Sequence, residues 1–420
     1  MSLKSLNSTI KIRLILLFIS TMATMSVLPY LIIYFSGQKG PVITGLLFLV
    51  VMLANVTGSV LGGYVSDRSG RKKIILISEF IVFLGFLGAA LANSPWGIYP
   101  YLTFLCFVII QFSTGAGTPV YQALIIDIST PDERKTIYTY SYWVRNAGIA
   151  FGSMIGAFMF FSHLFNLFLA VAAATLFVFI ITLFFIKETF TPVIETSMQN
   201  TRSTTRMFQA YFKILTHRFF TIFSLASLLI VSVEEQLTNY IGVRLANEIN
   251  EPVPLASFFP LHIDGVNLLG ILKAENTIIV VSFTILVAYL IRNWNDRYSL
   301  MIGLLLFFSG FTVISISTTP IILIIAMLIV SIGEMMHIPV TQTLLSKIVP
   351  DHARSTYMAV YAVAVLLGVS TAGVFIIISS WLPPVILTFI IGSMGVVSMI
   401  LFFNLTRTEN FEEPQRSHAL

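Results

Sequence analysis

The chain has 420 residues, of which 56% are hydrophobic and only 10% charged. A soluble domain carries about 25% charged residues, so this composition, with a mean hydropathy of +0.90, excludes a soluble protein and leaves little room for soluble domains. The net charge of +5 is accounted for by basic loops between membrane helices and gives no reason to expect nucleic acid as a partner.

A helix crossing a bilayer needs about 20 apolar residues. Twelve stretches qualify, at about 12–35, 41–65, 73–93, 99–127, 136–161, 164–187, 216–245, 272–291, 298–317, 320–346, 353–379 and 382–405. The chain is therefore expected to be an all-α membrane protein with twelve transmembrane spans. Span 1 is too long for the apolar region of a signal peptide and lacks a small-residue cleavage site, so it is expected to be retained. Short turn-rich breaks separate most spans, such as Asn93-Ser94-Pro95 and Leu382-Pro383-Pro384. Residues 188–215, rich in Thr, Ser and Arg, read as a cytoplasmic linker between a first bundle at 1–187 and a second at 216–420, which ends in a cytoplasmic tail. Residues 246–271, with Glu248, Glu251, Asp264 and scattered prolines, read as an outside loop. Cys106 is the lone cysteine, so no intrachain disulfide forms.

Charge placement sets the expected orientation. With the N-terminus inside, Lys4, Lys11, Arg13, the cluster at 68–73, Arg134, Lys135, Lys187, Arg292, Arg297, Lys347, Arg354, Arg407 and Arg416 are all inside. Only Lys39, Arg244 and Lys273 fall outside. By the positive-inside rule both termini are cytoplasmic, in a multi-pass protein of the plasma (inner) membrane.

Between spans 2 and 3 runs GSVLGGYVSDRSGRKK, residues 58–73. Gly62 and Gly63 remove side chains where one backbone must approach another. Ser69-Gly70 makes a turn inside a basic cluster. A topology signal alone explains the basic residues, but not the paired glycines or Asp67 at the helix end. The stretch resembles the G-x-x-x-D-R-x-G-R-R/K signature of the major facilitator superfamily, matched by Gly63, Asp67, Arg68, Gly70, Arg71 and Lys72. That resemblance implies two pseudo-symmetric six-helix bundles and a motif that acts as a gate, holding neighbouring helix ends together in one state of the cycle. Asp127, at the end of span 4, could by itself be an ordinary interfacial acid. The resemblance makes it a gate partner for Arg68 and Arg71.

An internal repeat agrees with two halves. Pro119-Val120-x-Gln122-x-Leu124 precedes Pro131-Asp132 and Arg134, and Pro339-Val340-x-Gln342-x-Leu344 precedes Pro350-Asp351 and Arg354. The copies lie on spans 4 and 10, six apart, as duplication requires. Repeats of this kind place a substrate site near the midplane between the halves.

Charged residues inside a membrane are costly and are functional candidates by default. Glu334 stands in the middle of span 10, where a carboxyl alternating between protonated and ionised forms could carry a proton or pair with a cation; its bland reading is a structural bond to a neighbouring helix. Glu234 and Glu235 stand about halfway along span 7, unless that helix breaks early. Adjacent residues point in different directions, so at most one faces a cavity squarely. Arg145 in span 5 needs a carboxylate partner, with Asp127 or the span 7 glutamates as candidates. His337 shares a helical face with Glu334 and is a proton-relay candidate. A metal at Glu334-x-x-His337 would need a second copy of the motif, which is absent, so neither metal nor cofactor is expected. Tyr30, Tyr34, Phe112, Tyr138, Tyr140, Tyr142, Trp143 and Tyr240 are expected mostly to face lipid or form interfacial belts.

Gly148, Gly152 and Gly156 form a small-residue stripe for close helix packing. The stripe resembles the G-x-x-x-G-P-x-x-G-G antiporter motif of drug exporters, with Ser153 in place of Pro and Ala157 in place of the last Gly. Ile125-Ile126-Asp127, Tyr142-Trp143, Gly333-Glu334 and Gln342-Thr343-Leu344 are similar to bacterial multidrug/proton antiporters of the LmrP type, although the second membrane acid of that type is Ser141 here. No Walker A loop, H-E-x-x-H or G-x-S-x-G is found, so no enzyme is expected. The resemblance implies a monomeric secondary transporter in the lipid bilayer, exporting amphipathic cationic small molecules in exchange for protons. A carrier for a specific metabolite (sugar, amino acid or lipid precursor) and a non-transporting membrane scaffold are the alternatives.

Overall fold

The computed structural model describes residues 7–188, 214, 216–256, 259–349 and 354–407, and within these the side chains of some residues, Asp67 and Arg68 among them, are not described. Most of the expected linker and the C-terminal tail lie outside the described residues. The elements in chain order are α1 Ser8–Met25, α2 Leu28–Lys39, α3 Pro41–Ser69, α4 Arg71–Leu91, β1 Asn93–Ser94, β2 Gly97–Ile98, α5 Pro100–Asp127, α6 Pro131–Met159, α7 Leu164–Phe185, α8 Arg218–Glu234, α9 Tyr240–Glu248, β3 Val253–Ala256, β4 Phe259–Ile263, α10 Gly265–Ile291, α11 Asp296–Ile314, α12 Pro320–Ile348, α13 Arg354–Ile378 and α14 Pro384–Arg407. Among the described residues, ten stretches are long and apolar enough to cross a membrane. The remaining two spans are α6, whose first turns are polar, and α8–α9, which is broken.

Local chemistry explains the helix boundaries. Proline stands at the first position of α3, α5, α6, α12 and α14, where its missing N–H costs nothing. Thr130 and Glu133 form a capping box at the start of α6, satisfying two orphan donors reciprocally. Span 1 is not one helix. Pro29 cannot donate to the carbonyl of Met25 and clashes with it, so α1 stops at Met25 and α2 restarts at Leu28. Span 7 breaks without proline. There the side-chain amides of Gln236 and Asn239 donate to Ser232 O and Glu235 O, at 2.7 and 2.6 Å. They replace backbone donors and compete with helix continuation. The two breaks follow helices of 18 and 17 residues, a structural trace of the repeat.

The outside loop expected over 246–271 is shorter than its sequence suggests and structured. Strands β3 and β4 pair, and α10 begins at Gly265 rather than at 272. Asp264 Oδ1 accepts from Asn267 N at 2.8 Å, the bond expected of an N-terminal cap. A second hairpin, β1–β2, pairs Asn93 with Ile98 and Ser94 with Gly97. Its Asn93 accepts from Tyr34 Oη and donates to Thr103 Oγ1, both at 2.8 Å.

The chain forms two compact units. One comprises Met1–Glu195, Gly242–Val253 and His262–Ile278, the other Thr196–Ile241, Pro254–Leu261 and Ile279–Leu420. In the first, glycines let backbones touch. A Cβ at Gly62 would lie 2.3 Å from Ala116 O, and one at Gly152 would lie 2.4 Å from Met22 O. Gly148 packs on Thr21, and Gly156 on Ser26 and Tyr30. In the second, Gly303 and Gly333 bring α11 and α12 together, with a Cβ at Gly333 lying 2.5 Å from Gly303 O. Not all the aromatic side chains belong to belts. Tyr30, Tyr34 and Tyr240 are buried, and Tyr30 Oη donates to Ser153 O at 2.5 Å, because a phenol in an apolar core seeks a partner. Phe112, Tyr138, Tyr142 and Trp143 are exposed.

Candidate functional site

At the loop between α3 and α4 the chain must turn sharply. Gly70 takes φ +99°, ψ 150°, a region nearly closed to other residues. The turn aims the first amides of α4 at a carboxylate far along the chain. Glu188, just beyond α7, accepts from Arg71 N at 3.0 Å and from Lys72 N at 3.1 Å. This is an anion on the positive end of a helix. Lys72 Nζ returns the contact, donating to Leu183 O at 2.8 Å near the end of α7. Arg71 also donates through Nη1 to Ser66 Oγ at 2.9 Å on α3, and its Nε stands 3.5 Å from Asp127 Oδ2 at the end of α5. Four helix ends are thus tied through one loop. Of the expected gate residues, Gly70, Arg71, Lys72 and Asp127 come together here. Gly63 lies one turn before Ser66 on α3 and contacts nothing within 4 Å of an added Cβ. The side chains of Asp67 and Arg68 lie outside the described residues. Sequence reasoning misses Glu188: 117 residues separate it from Arg71, and it reads as linker.

Deeper in the same unit lies a buried charged network that sequence reasoning also misses. Arg13 on α1 and Glu79 on α4 are each 8% exposed, with Arg13 Nη1 3.7 Å from Glu79 Oε1. That oxygen also accepts from Tyr121 Oη on α5 and, at 3.1 Å, from Thr182 Oγ1 on α7. The Arg13 guanidinium lies over the Tyr121 ring, 3.3 Å from its centre. Toward the loop end, Ile74, Ile75, Val120, Leu124 and Ile186 form a buried apolar layer, with Ile12 and Tyr121 packed against it. Glu79 sits inside predicted span 3, so the rule that flags Glu334 also applies to it. Arg13 reads in the sequence as one more cytoplasmic loop charge.

The remaining candidates are spread over other elements. Glu334 stands midway along α12, half-buried, and Glu234 and Glu235 stand at the α8–α9 break, exposed and half-buried respectively. His337 is 3% exposed, its ring edge-on to Phe307 at 5.1 Å. Neither of its nitrogens has a hydrogen-bond partner among the described residues. Arg145 is exposed on α6. Asp127, one of its expected partners, pairs with Arg71 instead. Glu275 on α10 is a further half-buried carboxyl, whose Oε2 lacks a partner among the described residues. The late predicted start of span 8 hides its depth.

These features match known proteins along the whole chain. The family model of the Major Facilitator Superfamily matches residues 13–261 and again 255–419. The chain is 27% identical over 410 residues to a Na(+), Li(+), K(+)/H(+) antiporter of Planococcus maritimus, covering 96% of each. It is 27% identical over 151 residues to a multi-drug resistance efflux pump PmrA homolog of Lactococcus lactis, covering 34% of this chain and 36% of that one. The crystal structure of the nucleoside transporter NupG superposes with a TM-score of 0.71 at 16% identity, covering 96% of this chain and 100% of that one. The doubled family match, the helical repeat and the loop at Gly70 converge: the chain belongs to the Major Facilitator Superfamily and is a multi-pass membrane transporter.

Proposed function

We propose that this transporter exports amphipathic organic cations in exchange for protons. The observation that carries the reading is Glu334, a half-buried carboxyl midway along an apolar helix. Ionisable groups within membrane spans are rare and mark substrate, ion or proton pathways by default. Glu234 and Glu235 add further negative charge at a helix break, where backbone polarity is also available. In this reading a proton and a cation compete for Glu334, and His337, one turn away, relays the proton. The cycle is alternating access, and the Gly70 loop, with Gly63, Asp67 and Arg68, is the gate that closes one face. Both termini lie in the cytoplasm of a bacterial plasma membrane, and the working unit is a monomer.

A second reading is that the cation is inorganic. It is favoured by the relative from Planococcus maritimus, an antiporter of Na(+), Li(+) and K(+) for protons, which is matched over 96% of both chains. One preparation tests both. The full chain in inverted vesicles is given a proton gradient with a lipophilic cationic dye, and then with each monovalent metal ion. Gradient-dependent dye movement that Glu334→Gln removes supports the first reading. Movement of the metal ions alone supports the second. Movement of neither would sink cation/proton exchange.

A further inference from the structure

We propose that Glu79 is a second proton-exchanging carboxyl, built into the first unit, with Arg13 as the cation that takes the proton's place. The proposal rests on the proton-coupled reading above and adds a site to it. Three observations point the same way. First, the two oxygens of Glu79 are unequal: Oε1 accepts from two hydroxyls, whereas Oε2, though buried, has no donor among the described residues. Second, Arg13 Nη1 is a buried donor with no acceptor among the described residues, and it stands 3.7 Å from that carboxyl. This is beyond the N–H···O hydrogen-bond range by roughly 0.5 Å. Donor and acceptor each lack what the other offers. Third, Arg13 has another seat, since its guanidinium rests on the Tyr121 ring, a favourable place for a cation away from water.

These contacts define two arrangements. In one, Glu79 is ionised and Arg13 closes the gap to it. In the other, a proton from solvent binds Oε2, the carboxyl becomes neutral, and Arg13 stays on Tyr121. Neither state leaves a buried charge without a partner, the condition that makes most buried single charges intolerable. The polar side chains that face Glu79 among the described residues are Arg13 from α1, Tyr121 from α5 and the uncharged Thr182 from α7. The apolar layer of Ile74, Ile75, Val120, Leu124 and Ile186 shields the site toward the Gly70 loop, so exchange through that end requires the helices to part.

The test uses the full chain in liposomes, with whichever cation the wild type moves. Two rates are read for each variant: movement driven by a proton gradient, and movement down the cation's own gradient at uniform pH. Glu79→Gln is expected to slow the driven rate by about tenfold, the scale of coupling between linked sites, while downhill movement persists. The double change Arg13→Met with Glu79→Leu guards against misfolding, because an apolar pair replaces a buried ion pair at little cost. It is expected to show the same split. Equal loss of both rates in the double variant, or wild-type driven transport in either variant, would overturn the proposal. Absence of both rates in the wild type would instead remove the transport reading beneath it.

Discussion

The loops between α3 and α4 and between α10 and α11 hold the same place in the two repeats, yet their helices are capped in different ways. In the first, the amides of Arg71 and Lys72 are held by Glu188 from beyond α7, and Arg71 reaches back to Ser66 and across to Asp127. In the second, Asn295 caps α11 locally, accepting from Arg297 N at 2.9 Å. Arg297 then lies over the Phe403 ring on α14, 4.2 Å from its centre. A local cap travels with its own helix. A cap borrowed from a distant segment ties helices to each other and is lost when they separate. The first loop therefore joins four helix ends, whereas the Asn295 cap of the second serves its own helix alone.

The charges within the expected spans also differ between the units. The first unit pairs Glu79 with Arg13, whereas the second carries Glu234 at the end of α8, Glu235 just beyond it, and Glu334 midway along α12. The largest expected effect lies on this acidic side. Glu334→Gln should cut proton-driven transport by about a hundredfold, the lower range for losing a proton-transfer group, with the solubilised protein melting as before. Unchanged driven transport would break the contrast. Next comes Arg13→Met alone. By leaving Glu79 buried without its cation it should destabilise the protein by about 3–5 kcal/mol, read as a lower melting temperature in detergent, and Arg13→Met with Glu79→Leu should recover most of that.

The loop comparison predicts smaller effects. Gly70→Ala forces a Cβ to 2.7 Å from Glu188 Oε2 at φ +99°. It should cost about 1–3 kcal/mol, shown by a lower melting temperature. Glu188→Ala and Asn295→Ala each remove one cap worth about 1 kcal/mol. Only Glu188→Ala should also change how readily a thiol reagent labels a cysteine placed at Ser66, because only that cap joins separate helices. Equal labelling in the two variants would erase the distinction between the loops.

How much of this is legible beforehand depends on the range of the interaction. Membrane spans are legible because about 20 apolar residues in a row have few other uses, and the proline-led starts of α3, α5, α12 and α14 are local signals. The sharp turn at Gly70 is visible in Ser69-Gly70. The break in span 1 is also written locally, in Pro29, but is masked by the unbroken apolar run around it. The break in span 7 carries no proline and depends on where Gln236 and Asn239 place their amides. Glu188 and the Arg13–Glu79 pair are hidden for another reason. Each joins residues far apart in sequence, and hydropathy alone cannot pair them. Glu79 can at least be flagged as a charge in an apolar span, whereas nothing local distinguishes Arg13 from a topology signal.

The interruptions at Ser26–Val27 and Glu235–Asn239 make the leading span of each repeat two rods on a joint rather than one stiff column. The 12-residue rod α2 is about 18 Å long at 1.5 Å per residue. A pivot of about 10° at the joint would carry its far end through roughly 3 Å, about the width of a water molecule, while α1 stayed still. Such a pivot would adjust one face of the membrane without disturbing the other, and would leave Arg13, on the α1 rod, in its seat.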